Sequence, residues 1–444
     1  MMRSLYSGVS GLQAHQIQMD VIGNNVANIN TIGYKSQRVT FSEVFSQTVQ
    51  SATSASDATG LGGKNAMQVG LGVNVSTIDI LMTQGSAQRT DNPFDLMIDG
   101  DGMIIVKDAE QTYFTRAAAL RVDDLGNLVI PNGMKVQGWL ANDTGTEIVR
   151  GQVQDIVLNS PDNLFTQPEA TTNVTITGNL NLDDSYTGDD TAKAITTIMN
   201  FYDSLGNYYS MEVEFTAYPN EGNENPVKWV MNIPSNTITD TNGNSYTLGG
   251  TPTTDSVEII FDSNGNMEQP TGLISIAGLD LLGASPSLNA EIGNDGMVYL
   301  DITGITQYNA TTSLDSSVGD VNGQGTGKAA GDMLGYDIGS DGKITAYYSN
   351  GDTKLLAQIV TTTFENAAGL EKAGDNVFLA TANSGDFDGI GAEAIFMSGV
   401  LEMSNVDLNS EFTNMIVTQR GFQANSKTIT TSDEMLQEIL SLKR

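Results

Sequence analysis

The sequence predicts a mainly β fold with α-helical termini. It reads as a multidomain chain of nested, discontinuous β domains plus an N-/C-terminal coiled-coil-like helix pair. Three observations carry this. Apolar residues recur at seven-residue steps in the first thirty and the last forty-odd residues. Between the ends, short apolar runs are bounded by turn residues, as strands are. One turn pattern, aspartate first and glycine fourth, recurs at irregular intervals through that middle.

At the N-terminus Leu5, Leu12, Met19 and Val26 fall on one heptad line, with Val9, Ile22 and Ile29 beside it. This predicts a helix of roughly 25 residues, about 40 Å long. Gly8, Gly11 and Gly23 each cost it about 1 kcal/mol relative to alanine. At the C-terminus Leu408, Met415, Phe422, Ile429 and Leu436 form a longer line, with no proline and only Gly421 interrupting. The second line expected there runs Phe412, Gln419, Ser426, Asp433, Leu440 and is polar in the middle, too weak for an isolated coiled coil. Each helix therefore needs a partner: the other end of the chain, copies of itself, or an ordinary core that both cover.

Asn30-Thr-Ile-Gly-Tyr-Lys35 reads as a helix stop with an extended exit. Residues 31–74 read as an extended linker arm, because Gln50-Ser-Ala-Thr-Ser-Ala-Ser-Asp57 and Gly60-Leu-Gly-Gly63 have little to bury. From about 75 the pattern is β, with runs at 73–81, 96–106 and 128–130. The recurrent turn is Asp123-Asp-Leu-Gly-Asn127, Asp203-Ser-Leu-Gly-Asn207, Asp240-Thr-Asn-Gly-Asn244 and Asp262-Ser-Asn-Gly-Asn266. Glycine at the fourth place suits a hairpin turn. A calcium loop of the EF-hand type needs it at the sixth, so turns are preferred over metal sites. The clearest hairpin is 195–200 returning as 211–215, with Met211, Val213 and Phe215 inward and Glu212 and Glu214 outward. The glycine-rich Asp320-Val-Asn-Gly-Gln-Gly-Thr-Gly327 closes this block, and a last β block runs to Met403.

Charge is uneven. Against 53 acidic residues stand 20 basic ones, and the net −33 lies wholly within 41–400, because residues 1–40 net +2 and residues 401–444 net −2. Such a surface repels nucleic acid and anionic membranes, whereas the near-neutral ends can associate closely. No cysteine means no disulfide, thiolate metal site or cysteine nucleophile. No run has the length of a membrane span or a Sec-type signal, so no membrane insertion is expected, and any export takes another route. The single histidine, His15, reads as a solvated helix-face residue, and no phosphate loop exists, since Lys64 and Lys328 are followed by Asn65 and Ala329. Asp99-Gly-Asp-Gly102 reads as a hairpin tip. The expectation is no enzyme, with no catalytic residue, no cofactor and no metal.

Ser4-Leu-Tyr-Ser-Gly-Val-Ser-Gly-Leu12 and Asn24-Asn-Val-Ala-Asn-Ile-Asn-Thr-Ile-Gly-Tyr-Lys35, with Leu401-Glu-Met-Ser-Asn-Val-Asp-Leu408, Gln419-Arg-Gly-Phe-Gln-Ala-Asn425 and Asp433-Glu-Met-Leu436, resemble the end signatures of the bacterial flagellar rod and hook axial proteins. Gln84-Gly-Ser-Ala-Gln88 and Phe94-Asp-Leu-Met-Ile-Asp-Gly-Asp-Gly102 belong to the shared pattern. The family motif falls on Asn24, Asn25, Asn28, Gly33, Tyr34, Lys35, Ser404, Asn405, Gln419 and Arg420. A large insertion, the Tyr202-Asp-Ser-Leu-Gly-Asn207 hairpin inside it, and Asn350-Gly351 followed by Phe364-Glu-Asn-Ala-Ala-Gly-Leu-Glu-Lys372 and Gly374-Asp-Asn376 point to the hook branch of that family.

The resemblance implies a subunit of a tubular helical homopolymer, a flexible joint between rod and filament. It implies partners in the distal rod, hook cap, hook–filament junction and flagellar export apparatus, and an extracellular place in the flagellum. It also implies the domain plan: 1–30 with 401–444 as the terminal helical domain, the 31–74 arm, 75–160 with 328–400 as an inner β domain, and 161–327 as an outer β insertion. The Lys–Cys cross-link of some relatives has no cysteine here to form it. The assembly interface is expected on Leu5, Leu12, Met19 and Val26 and on Leu408, Met415, Phe422, Ile429 and Leu436. The alternatives are the distal rod protein and, from another class, a secreted acidic β adhesin or binding module.

Overall fold

The structure, a computed structural model, describes residues 2–54, 62–109, 111–181, 194–218, 228–249, 257–279, 281, 290–293, 296–385, 391 and 395–442. The Ser/Thr/Gly run at 55–61, part of the sequence's arm, lies outside the described residues. The chain is mainly β, with long helices α1 (Met2–Ala27) and α3 (Leu408–Leu442) near its ends and a single turn, α2 (Pro161–Leu164), between. It divides into two compact units: Met1–Ser160 with Tyr336–Ala346 and Lys354–Arg444, and Pro161–Gly335 with Tyr347–Thr353.

In the first unit α1 packs against α3. The stretch after α1 is not a featureless arm. Strand Gln37–Glu43 pairs antiparallel with Val73–Ile80, and beyond it Ser46–Gln50 pairs with Met67–Gly70. Few side chains there are buried, so main-chain pairing orders the stretch where composition offered little core. Met103–Lys107 is central to the β part, pairing with Thr112–Thr115, Lys135–Leu140 and Thr361–Thr362. Its side chains Met103 to Val106 are all buried, the continuous apolar run of a strand covered on both faces. Around it, Phe114, Trp139, Val360 and Phe378 share one core with Ile80. Two short strands near the C-terminus close the unit, Ile395–Ser398 against Asp95–Asp99 and Val400–Glu402 against Ala87–Arg89.

The second unit has two sheets over one core. Tyr208–Tyr218 runs through the larger, pairing with Ala194–Tyr202 in the register that opposes Met211 to Met199. Met211, Val213 and Phe215 are buried while Glu212 is exposed, the alternation that one solvated face imposes. In the smaller sheet Asn173–Asn179 runs parallel to Val298–Thr306 and antiparallel to Ser313–Val318. Trp229, Phe201, Phe215 and Phe261 fill the shared core with Ile176 and Leu300.

The recurrent turns form one structure. In each, the glycine N–H donates to the aspartate carbonyl, and the glycine sits at φ +81° or +82°. In all four the aspartate carboxylate accepts the N–H groups at the third and fifth places. Asp320–Gln324 has the same bonds, with Gly323 at φ +75°, and is a fifth copy. These donors hold the carboxyls of Asp123 (chiefly the Asn127 side chain) and Asp262 (chiefly the Asn266 N–H) below the usual carboxylate range. The carboxylates are thus occupied by their own turns, and among the described residues no acidic cluster could hold a metal ion.

Candidate assembly interface

Helices α1 and α3 run antiparallel. Ser4 Oγ lies 3.4 Å from Ser432 Oγ, Gly8 faces Ile429, Gly11 faces Asn425, and Asn25 reaches Glu411. The line expected to be the seam is only half-buried at Leu5, Leu12, Met19, Val26, Leu408, Met415, Ile429 and Leu436, and Phe422 is 37% exposed. The fully buried line is made chiefly of small residues, with Gly8, Gly11 and Ala14 followed by Ile22 and Asn25 on α1, and Thr418 and Ser432 on α3. A Cβ on Gly8 would lie 3.0 Å from Ile429 Cγ1, and one on Gly11 would lie 2.6 Å from Asn425 Nδ2. The glycines are therefore points of close approach between the helices.

The second seam of α3 also corrects the heptad reading. Gln419 and Asp433 are exposed, and the inward polar line lies one residue earlier, at Thr418, Asn425 and Ser432. Thr418 Oγ1 donates to Asn414 O at 2.7 Å and Ser432 Oγ to Thr428 O at 2.8 Å. With their hydroxyls bonded inside their own helix, these side chains act as small knobs. His15 is half-buried and not a fully solvated helix-face residue. It is wedged near Gly421, whose Cβ would meet Nε2 at 2.7 Å, and edge-on to Phe41.

The motif residues meet where the two helices join the β part. Asn25 is buried: its Nδ2 donates to Gln37 O at 2.8 Å and to Glu411 Oε1 at 3.0 Å, and its Oδ1 accepts from Gln37 N and the Tyr34 hydroxyl. Asn24 donates to the Tyr34 hydroxyl, and Asn28 closes the last turn of α1 by donating back to Asn24. Gly33, at φ +67°, fits because a Cβ there would be 2.8 Å from Ala117 N. The Lys372 ammonium lies over the Tyr34 ring at 4.5 Å. Asn405 accepts from Ser36 N at 2.8 Å and donates to Leu81 O at 2.8 Å, tying the chain before α3 to the chain after α1. Ser404 is buried and accepts from Val406 N. Arg420, like Gln419, is exposed on α3.

Sequence reading named Lys35 at the centre of this junction but missed its partners Glu402 and Arg116. Lys35 Nζ lies 2.6 Å from Glu402 Oε1, and Arg116 Nη1 lies 3.4 Å from Glu402 Oε2. Burial pulls the Lys35 pKa down, and the Glu402 hydrogen bond and charge oppose that. Lys35 and Glu402 stood inside the quoted motifs, but nothing linked positions 367 residues apart.

Asp407 caps α3 by accepting from Asn409 N, and Glu411 sits in the first turn. Burial raises the Glu411 pKa and Asp407 adds to the shift, while the Asn25 donor opposes it. A carboxyl whose folded pKa exceeds its unfolded value disfavours the folded state when ionised. That cost stands above the folded pKa and disappears as pH falls below the unfolded one. Glu411→Gln keeps the acceptor for Asn25 and removes the charge. It should slightly raise the melting temperature at pH 7 and flatten the pH dependence between pH 4 and 7. A lower melting temperature at pH 7 would show that attraction to the helix N-terminus outweighs burial.

Four families match along the chain: flagella basal body rod protein at residues 5–35, the flagellar hook protein FlgE/F/G D1 domain at 97–182, the flagellar basal body protein FlaE D2 domain at 164–323, and the flagellar basal body rod FlgEFG protein C-terminal at 397–442. The flagellar hook protein FlgE of Treponema pallidum is 37% identical over 478 residues and that of Borreliella burgdorferi 39% over 466, each covering 100% of both chains. The flagellar basal-body rod protein FlgG of Bacillus subtilis is 30% identical over 449 residues, also covering 100% of both chains.

Proposed function

The chain belongs to the flagellar hook protein family and is a structural subunit of the hook, and from that premise we propose that α1 and α3 form the surface through which subunits join. A hook subunit is one copy in a homopolymer, so each must present a surface that its neighbours cover. The observation that carries the reading is the apolar surface left open on the helix pair: Tyr6, Val9 and Ile17 on α1, and Phe412, Ile416 and Val417 on α3, the last 64% exposed. A monomer that kept such a stripe in water would associate through it. The near-neutral ends allow that association in a chain of net charge −33.

The finer roles follow from the same premise. Leu5, Leu12, Met19, Val26, Leu408, Met415, Phe422, Ile429 and Leu436 hold the helix pair and its neighbours. The distal rod, hook cap and hook–filament junction proteins meet the ends of the polymer. The subunit reaches its extracellular position through the flagellar export apparatus, and it carries no enzymatic activity. The 1–30/401–444, 31–74, 75–160/328–400 and 161–327 segments serve as helical, arm, inner and outer domains.

Phe422→Asp tests the surface. Phe422 is already 37% exposed, so the subunit should fold and stay soluble, with unchanged circular dichroism. In the polymer the carboxylate would be buried without a partner, at a cost of several kcal/mol per contact. Electron microscopy of concentrated protein should show tubes for the parent chain and none for the variant. Tubes of normal length from Phe422→Asp would remove α3 from the interface.

A further inference from the structure

Glu402 binds two cations that come from separate parts of the chain. Its side chain is 0% exposed, that of Lys35 1% and that of Arg116 2%. Each cation has one further acceptor, Thr83 O at 2.8 Å from Lys35 Nζ and Gly100 O at 2.5 Å from Arg116 Nη2. Glu402 Oε1 also accepts from Gly85 N at 2.8 Å, and its backbone carbonyl accepts from Gly33 N at 2.8 Å. Lys35 follows α1, Glu402 precedes α3, and Arg116 belongs to the β part. The cluster holds two buried cations on one buried carboxylate, and the only further acid that acts on Lys35 is Asp101, through its charge and without an ion pair.

A buried ion cluster of this kind adds little stability over an apolar cluster of similar volume. What it adds is selectivity among arrangements, because any arrangement that parts one cation from the carboxylate leaves a charge buried alone. Here the carboxylate fixes at once where α1 leaves and where α3 begins. The glycine seam demands such a fixed start. Gly8 must meet Ile429 and Gly11 must meet Asn425, whereas a one-residue slip would bring larger side chains to the same points.

We infer that Glu402 is a positioning residue for assembly, an all-or-none latch that sets the register and crossing of α1 on α3 and joins the pair to the β part through Lys35 and Arg116. The hook reading assigns the helices to the polymer interface; the latch is a property of the single subunit and is measured there, so either can fail without the other.

The absence of cysteine supplies a clean reporter. Ser4 Oγ and Ser432 Oγ are 3.4 Å apart, so a Ser4→Cys/Ser432→Cys pair is within reach of a disulfide. It lies about 36 Å along α3 from the start of that helix, where a small error in crossing angle becomes a large displacement. Two backgrounds are compared with the parent, Glu402→Gln and the apolar triple Lys35→Met/Arg116→Met/Glu402→Leu. In Glu402→Gln the Gly33 and Gly85 amides should exchange hydrogen on the order of 100-fold faster, with the Val213 amide in the second unit unchanged. In the triple variant thermal stability should return to near the parent's, yet cysteine cross-linking should remain at least about ten-fold slower, since stability is restored without register.

Parent-rate cross-linking in the stable triple variant would overturn the inference and leave the cluster a stability element only. Unchanged protection of Gly33 and Gly85 in Glu402→Gln would overturn it as well. If the triple variant does not fold, cross-linking in Glu402→Gln below its melting temperature decides: slowed supports the latch, and unchanged refutes it.

Discussion

Gly11→Leu is expected to abolish tube formation while leaving the second unit folded, and Gly23→Ala on the same helix is expected to do no harm. Even the first carbon of a side chain at position 11 would stand 2.6 Å from Asn425 Nδ2, 2.9 Å from its Cγ and 3.1 Å from its Oδ1. Asn425 is a short side chain beside the α3 backbone and has little room to retreat. A leucine therefore pushes the helices apart, an overpacking cost of about 1–3 kcal/mol that a pair joined along one narrow seam absorbs badly. Position 23 has nothing within 4 Å of its Cβ direction. There alanine removes a helix penalty of about 1 kcal/mol and raises the melting temperature of the first unit. Calorimetry of the monomer and microscopy of the polymer read the two effects separately. Normal tubes from Gly11→Leu would show that the seam tolerates a wider helix spacing, and the close-approach account of these glycines would be wrong.

That contrast shows what heptad counting delivers. It found both helices and their apolar lines, because a 3.5–3.6-residue period survives whatever the helix packs against. It scored Gly8, Gly11 and Gly23 alike as defects, since propensity is a property of a helix alone and the value of Gly8 and Gly11 lies in the opposite helix. Placing the polar line of α3 at Gln419, Ser426 and Asp433 missed by one residue for a related reason. Thr418 and Ser432 satisfy their own hydroxyls, so their polarity does not mark them as outward.

Turns were the most legible part, because Asp-x-x-Gly-Asn carries its own hydrogen bonds and needs no distant partner. Asp320–Gln324 escaped only because glutamine stands in the last place, although the backbone N–H at that place makes the same bond to the aspartate. The Lys35–Glu402–Arg116 cluster was illegible. Ion pairs leave no periodicity, and each residue alone looks like an ordinary surface charge. The 37–50 and 67–70 strands fall in the stretch that composition reads as an arm, because composition forecasts burial, whereas these strands are ordered chiefly by backbone pairing with most side chains exposed; only their partner at 73–80 was legible as a β run.

The 170–327 insertion should be removable, and its removal should change the curvature of the polymer. Its two ends are a bonded pair: Glu169 N donates to Lys328 O at 3.1 Å and Lys328 N donates to Glu169 O at 2.8 Å. Between them lies a complete core, running from Val174 to Ile305. Excising 170–327 and joining Glu169 to Lys328 through a two-residue glycine turn therefore cuts no core in half and asks only for a hairpin. The excised piece also carries 20 acidic residues against two lysines, more than half of the chain's net −33. In a bent tube that turns on its axis, each subunit alternates between closer and wider spacing from its neighbours. Charged, hydrated surfaces with many Asp, Asn and Thr side chains re-form contacts after small shifts, whereas close-packed apolar ones resist sliding. The shortened chain should assemble, since α1 and α3 are intact, into tubes that are straight or differently curved. Their curvature should respond less to salt between about 0.05 and 0.5 M, because the screened repulsion between acidic insertions is gone. Unchanged curvature after the excision would show that the bend is set elsewhere, and failure to assemble would show that the insertion contributes cohesion.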